Sequence, residues 1–308
     1  MDRLPPLTAL RAFESAARHL SFARAAQELN VTPAALSFQI KSLEEHLGAP
    51  VFRRLNRAVE LTEIGQLLAP GTSDGFQTLQ SAWRAALRRV DSASLTVTAG
   101  PAFTAKWLAP RLFSFAQEHP EIELRFSASL RIVDFARDDV DLAIRFGQSV
   151  DASLYSKPII DEWMAPMVTP DLAKKIKRPE DFLNLPLIGQ GDISFLDPPV
   201  NWQSFLARAG VTEDVLPGPQ FSQADHAIDA ALAGGGAVLG RISLTEAHLK
   251  EGRLVMPLPL AVRSGGGYRL VCPKGGETRP QVAQFMDWVL RQTEGMDQLA
   301  HGLTFLDK

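Results

Sequence analysis

Cysteine is nearly absent from this sequence: Cys272 stands alone among 308 residues, so no internal disulfide can form and the fold must rest on its packed core. A single thiol fits a reducing compartment. The six histidines are scattered without ligand spacing, so no metal site is expected. No apolar run approaches the length of a membrane span, and the opening Met1-Asp2-Arg3-Leu4-Pro5-Pro6 lacks the basic-then-apolar pattern of an export signal. The expectation is a cytoplasmic chain with no membrane partner. Nucleophile-elbow Gly-x-Ser-x-Gly is missing, and the glycine runs 234–236 and 265–267 lack the Lys-Ser/Thr of a phosphate loop. Ser222, Asp225 and His226 are close in sequence, but a triad is made by geometry, not by proximity along the chain. No catalytic residue and no cofactor are expected, and an enzyme is the weaker reading. A solute-binding transport protein is the other rival; it would need export and would have no use for the first ninety residues.

What is present is unevenly distributed. The net charge is −3, yet residues 1–90 hold 11 Lys/Arg against 8 Asp/Glu, and the remainder 21 against 27. A basic head on an acidic body is the asymmetry of a chain whose head alone meets phosphates.

The head reads as three helices and a hairpin. Leu7, Leu10, Phe13 and Ala17 recur at helical spacing to His19. Ser21 caps a second helix, Phe22 to Leu29. Thr32 caps a third, with Pro33 at its first position, where the missing N–H costs nothing. Leu36, Ile40, Leu43 and Leu47 form its apolar stripe, and Gly48 ends it. Val51-Phe52 and Val59-Glu60-Leu61 flank the basic tip Arg53, Arg54, Arg57. Two short helices joined tightly, with a basic hairpin behind, form a helix-turn-helix with a wing. Three short helices also serve as protein-binding modules. Over 62–90, Phe76, Leu79, Trp83, Ala86 and Val90 follow a 3,4,3,4 spacing. That is either a coiled-coil seam or the inner face of a helix packed on its own domain. Pro70, Gly71 and Gly75 predict a kink upstream of it.

From Ser94 strands and helices alternate, which predicts an α/β body with a largely parallel sheet. Strands are read at 95–98, 122–126, 141–146, 187–188, 237–239 and 269–272. Helices are read through Trp107–Phe115, at Ile132–Arg137, Trp202–Ala209, Ala224–Ala233 and Gln281–Gln292. Residues after Glu294 read as a loose tail.

Leu7-Thr8-Ala9-Leu10-Arg11-Ala12-Phe13, Ser21–Leu29 with Val31-Thr32, Gln39–Gly48 and Leu61-Thr62-Glu63-Ile64-Gly65 together resemble the LysR-type transcriptional regulators. Phe103–Leu112, Asp141–Gly147 and Ala230–Gly234 resemble the subgroup of glycine-cleavage and β-lactamase regulators. The resemblance implies an all-α winged helix-turn-helix at 1–61, a dimerisation helix at 62–90 and a two-lobed, periplasmic-binding-protein-like effector body at 91–294. Lobe I is about 91–164 with 269–294, lobe II about 165–268, and 295–308 is tail. It implies double-stranded DNA, a small effector and RNA polymerase as partners, and a homodimer or homotetramer.

Ser21, Thr32, Pro33, Ala34, Ser37, Phe38, Lys41, Arg53, Arg54 and Arg57 are then the DNA-facing candidates. The family commonly has glutamine where Pro33 stands and arginine, histidine or glutamine where Phe38 stands. Neither side chain here can hydrogen-bond a base edge, and Phe38 either meets a thymine methyl or packs. In α/β sheets a ligand lies beyond the C-terminal strand ends, near helix N-termini. This selects Ala102, Phe103, Thr104, Arg145, Ser222 and Gln223; relatives place an aromatic residue against the ligand where Tyr268 stands. Ala102 replaces the small hydroxyl residue often found there.

Overall fold

The computed structural model describes residues 4–54, 59–90, 93–148, 151–191, 199–216 and 218–306. They form two compact units, Met1–Val90 and Asp91–Lys308.

In the first unit, α1 (Leu7–His19), α2 (Phe22–Glu28) and α3 (Pro33–Leu47) fold as the spacing predicts. Ser21 Oγ accepts from Arg24 N at 3.4 Å and Thr32 Oγ1 from Ala35 N at 3.1 Å, so both caps form. Gly48 ends α3 at φ 76°, where a side chain would be strained. Ala9, Ala12, Ala16, Ala25 and Ala26 are buried, and their small size lets the helices approach closely around Phe13. Strands β1 (Phe52–Arg54) and β2 (Val59–Leu61) pair antiparallel. The helix α4 (Glu63–Val90) follows, unbroken through Pro70. Its start shows why Leu61-Thr62-Glu63-Ile64-Gly65 is needed. Thr62 Oγ1 donates to Pro50 O at 2.9 Å and accepts from Gly65 N at 3.1 Å. A Cβ on Gly65 would lie 2.2 Å from Val51 O, so only glycine lets α4 lie against the hairpin.

The second unit has one continuous sheet, but two lobes. Lobe I takes β3 (Ser94–Ala99), β4 (Glu123–Ala128) and β5 (Leu142–Gly147), all parallel. Between β3 and β4 run α5 (Pro101–Phe103), one π-helical turn (Thr104–Leu108) and α6 (Ala109–Glu118). Two fourteen-residue strands, β6 (Leu154–Met167) and β10 (Leu260–Pro273), pair antiparallel and cross between the lobes. The expected lobe boundaries at 164/165 and 268/269 fall inside them. Lobe II holds α7 (Pro170–Ala173), β7 (Leu187–Gln190), α8 (Trp202–Arg208), β8 (Gln220–Phe221), α9 (Ala224–Leu232), β9 (Ala237–Arg241) and α10 (Ile242–Lys250). The chain returns through β10 to α11 (Pro280–Thr293) in lobe I. Strand order is β4-β3-β5-β10-β6-β9-β7-β8. Phe115 of α6 meets Phe285 and Trp288 of α11, with ring centroids 5.0 and 5.4 Å apart, at the centre of lobe I's core.

Two expectations are corrected. No helix forms at Ile132–Arg137. Asp134 Oδ1 takes the N–H of Ala136 and Asp138 Oδ2 that of Asp134, each at 2.9 Å, so carboxylates compete with the helical ladder and leave a single turn. The segment after Glu294 is not loose. Met296 is buried, and β11 (Thr304–Phe305) pairs parallel with β10, Thr304 N donating to Pro259 O at 2.7 Å.

Candidate functional site

In the first unit, α3 is held by one face and bare on the other. Leu36, Ile40 and Leu43 are buried against α1 and α2, while Pro33, Ala34 and Lys41 are exposed, Phe38 is 69% exposed and Ser37 half-buried. Phe38 therefore does not pack within its own subunit. The hairpin is tied to α3: Glu44 Oε1 accepts from Val51 N at 2.9 Å, which fixes the base of the wing. Arg53 is exposed on β1. Arg57 and the side chain of Arg54 lie outside the described residues. Beside α3, Arg18 bonds Glu14 and Glu28 at 3.1 and 2.6 Å, and His19 meets Glu28 at 2.5 Å. The Arg18 guanidinium holds the Glu28 carboxyl down to about 2. On α4, Phe76 is half-buried, Leu79 54% and Trp83 67% exposed, and Ala86 exposed; the side chain of Val90 lies outside the described residues. The face that spacing picked out is thus uncovered, which rules out close packing of Leu79 and Trp83 on the head itself.

In the second unit, Ala102, Phe103 and Tyr268 come together. The Phe103 ring stacks on Tyr268 at 4.2 Å and on Trp107 at 5.0 Å, and all three side chains are buried. Thr104 follows at the π-turn, its Oγ1 donating to Gly100 O at 2.8 Å. Across from them Ser222 is exposed and Gln223 is the N-cap of α9, which packs beside α5. Arg145 is not brought to this group. Phe146 points toward Tyr268, with rings 5.5 Å apart, so the pleat sends Arg145 to the other face. There it donates to Thr98 Oγ1 at 3.4 Å and Arg131 O at 3.3 Å. Burial, then Arg131, pulls its pKa down.

Sequence reasoning missed what closes this cleft. Lys106 Nζ lies 2.5 Å from Asp229 of α9, and Arg111 2.8 Å from the buried Glu246 of α10. Both pairs join lobe I to lobe II. It also missed the polar centre beneath. Glu162 of β6 accepts from Ser243 N at 3.0 Å and from Ser243 Oγ, capping α10 in place of Arg241. Burial pushes the Glu162 carboxyl up and the Tyr268 phenol up to about 12. Opposite Glu162 the β6–β10 register slips, with Arg263 facing Trp163 but Gly267 facing Asp161. Ser264 Oγ holds the slip by sharing its single proton between Glu162 O and Gly266 O, each 2.9 Å away, and Gly265 takes φ 72°. Glu162, beside Asp161 in the otherwise apolar stretch Ile159–Ala165, was the available signal, but its partner Ser243 lies 81 residues away.

Among the described residues no group of His, Cys, Asp or Glu could hold a metal, and no helix is long and apolar enough to cross a membrane.

Residues 7–66 match the family model "Bacterial regulatory helix-turn-helix protein, lysR family", and residues 88–294 match "LysR substrate binding domain". The Glycine cleavage system transcriptional activator of Escherichia coli K12 is 39% identical over 292 residues, covering 94% of each chain. The HTH-type transcriptional activator AmpR of Citrobacter koseri is 34% identical over 93% of this chain and 98% of its own. The effector domain of AmpR from Pseudomonas aeruginosa superposes with a TM-score of 0.54 at 27% identity, covering 68% of this chain and 98% of that one.

Proposed function

Because the chain belongs to the LysR family of bacterial helix-turn-helix regulators, we propose that it reads an operator with α3 and answers to a small molecule held between its lobes. It is a DNA-binding transcription regulator with an effector-binding body, not an enzyme. The finer assignments are our own reading. Pro33, Ala34, Ser37, Phe38 and Lys41 face the major groove. Ser21 and Thr32 sit at helix N-termini beside phosphate, and Arg53, Arg54 and Arg57 follow the backbone from the wing. Two copies pair through Phe76, Leu79, Trp83, Ala86 and Val90, which sets two heads on a site of dyad symmetry. Bodies pair again into a tetramer. Effector bound by Ala102, Phe103, Thr104, Ser222, Gln223 and Tyr268 changes the lobe arrangement, hence head spacing and contact with RNA polymerase in the cytoplasm. Arg145 stays outside this set and acts from the far side of the sheet.

One observation carries this reading: α3 is anchored by Leu36, Ile40 and Leu43 and leaves its opposite face bare beside a tethered hairpin. Footprinting on the DNA upstream of its own gene tests it. Protection of a dyad site over random DNA is expected; equal affinity for both sinks the operator reading. A Tyr268→Ala chain should lose the effector dependence of that footprint.

A further inference from the structure

Leu36 and Ile40 stand two places before and after Phe38, which at about 100° per residue sets both on the opposite side of α3. Both are buried, and Phe38 is 69% exposed. The ring therefore stands at the crest of the bare face, farthest from the anchored one. A single exposed phenylalanine is ordinary on a protein surface. The surroundings of this one are not. Ala34 and Ala35, exposed one turn toward the N-terminus, are too small to screen it, and Ser37 and Gln39, to either side, are half-buried. The nearby polar groups have partners of their own. Thr32 Oγ1 accepts from Ala35 N at 3.1 Å, and Lys41 Nζ lies 3.7 Å from Glu45. What the crest offers first to a partner is apolar.

Charge selects the partner. Residues 1–90 hold 11 Lys/Arg against 8 Asp/Glu, Lys41 is exposed one turn beyond the ring, and Arg53 is exposed on the hairpin tied to α3. An apolar crest flanked by cationic side chains suits a polyanion whose groove carries an apolar spot. In the major groove that spot is the C5-methyl of thymine; the other base edges are read through donors and acceptors. A phenyl ring has neither. Pressed on a donor or acceptor, it would strip water from that edge and give no hydrogen bond in return. Pressed on the methyl, it costs no hydrogen bond and buries apolar area.

We propose that Phe38 is a specificity-determining residue of α3, reading the C5-methyl of one thymine in each half-site by apolar contact alone. The inference rests on the reading of α3 as the helix that enters the operator, and adds which chemical group it selects. The full-length chain is used to select duplexes from a random-sequence pool. The selected duplex is then rebuilt with each thymine in turn replaced by deoxyuridine, which removes the methyl and keeps the O4 acceptor and the pairing. At one thymine per half-site affinity should fall about fourfold, the value of one buried methyl, and about fifteenfold with both half-sites changed. Cytosine placed there should bind more tightly with a C5-methyl than without. Phe38→Ala should weaken binding of the thymine duplex and erase its advantage over deoxyuridine, at an unchanged melting temperature. Phe38→Leu, which keeps an apolar tip, should retain part of that advantage. Lys41→Ala should weaken both duplexes alike and leave the advantage whole. Deoxyuridine tolerated at every position overturns the proposal, and is the result expected of a ring wedged between base pairs instead. An advantage that survives Phe38→Ala overturns it by assigning the methyl to another side chain. Equal loss on both duplexes in Phe38→Ala overturns it by giving the ring a packing role. These three outcomes leave the operator reading standing, whereas selection that yields no shared sequence overturns both.

Discussion

The head and the body leave different kinds of apolar surface bare. On α4 of the head, Leu79, Trp83 and Leu87 are exposed at four-residue spacing along one helix, with Leu67 84% exposed upstream. In the body the exposed large apolar residues are dispersed: Phe113 on α6, Leu130 and Ile132 after β4, Leu216 before β8. A stripe at helical period is a surface shaped for a second helix, whereas scattered residues are the ordinary background of a finished domain. The cores differ to match. The head closes on alanines around Phe13 and Phe52, the body on the packed rings of Phe115, Phe285 and Trp288. One region covers its own apolar faces; the other leaves a helical stripe uncovered.

Core truncation tests that division first and should have the largest effect. Phe13 is fully buried and meets Phe52 with centroids 5.5 Å apart; Trp288 is fully buried and donates to Ser114 Oγ at 3.1 Å. Phe13→Ala and Trp288→Ala should each cost about 3–5 kcal/mol. In scanning calorimetry the first should lower only the head's transition and the second only the body's. Transitions that move together would mean that the units do not unfold separately.

Next in size is the seam. Leu79→Glu with Trp83→Glu removes two apolar anchors, each contributing roughly 1.5–3 kcal/mol when buried. The dissociation constant of the dimer should rise at least ~100-fold, seen as a halved mass in light scattering at micromolar protein. Unchanged mass would return α4 to the role of an ordinary amphipathic helix.

How far the sequence carries depends on the range of the interaction. α3 is legible because Thr32, Pro33, the Leu36–Leu43 stripe and Gly48 are all local signals. The same holds for the strands of lobe I, whose alternation needs no partner to be read. The helix expected at Ile132–Arg137 fails on an equally local effect, the two aspartates that take backbone N–H groups. β6 is hidden and β10 shows only its end at 269–272, because their fourteen residues pair across about a hundred positions, and the glycine run 265–267 reads as a failed phosphate loop when it is a bulge held by Ser264. In the cleft, Phe103 and Tyr268 are legible, whereas Glu162, Ser243 and the pairs Lys106–Asp229 and Arg111–Glu246 are not. Each of these joins distant segments, and no spacing rule reaches them. Arg145 is misplaced relative to Phe103 because strand parity, not strand end, decides the face.

A smaller effect is expected at the wing. Arg53→Ala with Arg54→Ala should lower DNA affinity for all sequences alike and flatten its logarithmic salt dependence by about 2, near 0.9 for each phosphate left without its arginine. An unaltered slope in binding titrations between about 50 and 200 mM salt would remove the wing from the phosphate backbone.

The smallest effect separates exposed from buried ion pairs. Arg279 and Asp141 in the body are nearly fully buried, and Asp141 also accepts from Thr96 N at 2.9 Å, whereas Arg18 and Glu28 in the head are 49% and 37% exposed. Glu28 is held at about 2, first by Arg18 and further by His19, against an ordinary value of 4.5. A depressed folded pKa stabilises above the unfolded value and is lost as pH falls from about 4.5 toward 2. Solvent screening of so exposed a pair reduces that to less than about 1 kcal/mol. Glu28→Gln should therefore cost the head under about 1 kcal/mol at neutral pH in urea unfolding, less at about pH 3, and less again in molar salt. A cost that stays constant across this pH window would assign the loss to packing of the Glu28 stem, and the Arg18 pair would then contribute nothing to the stability of the head.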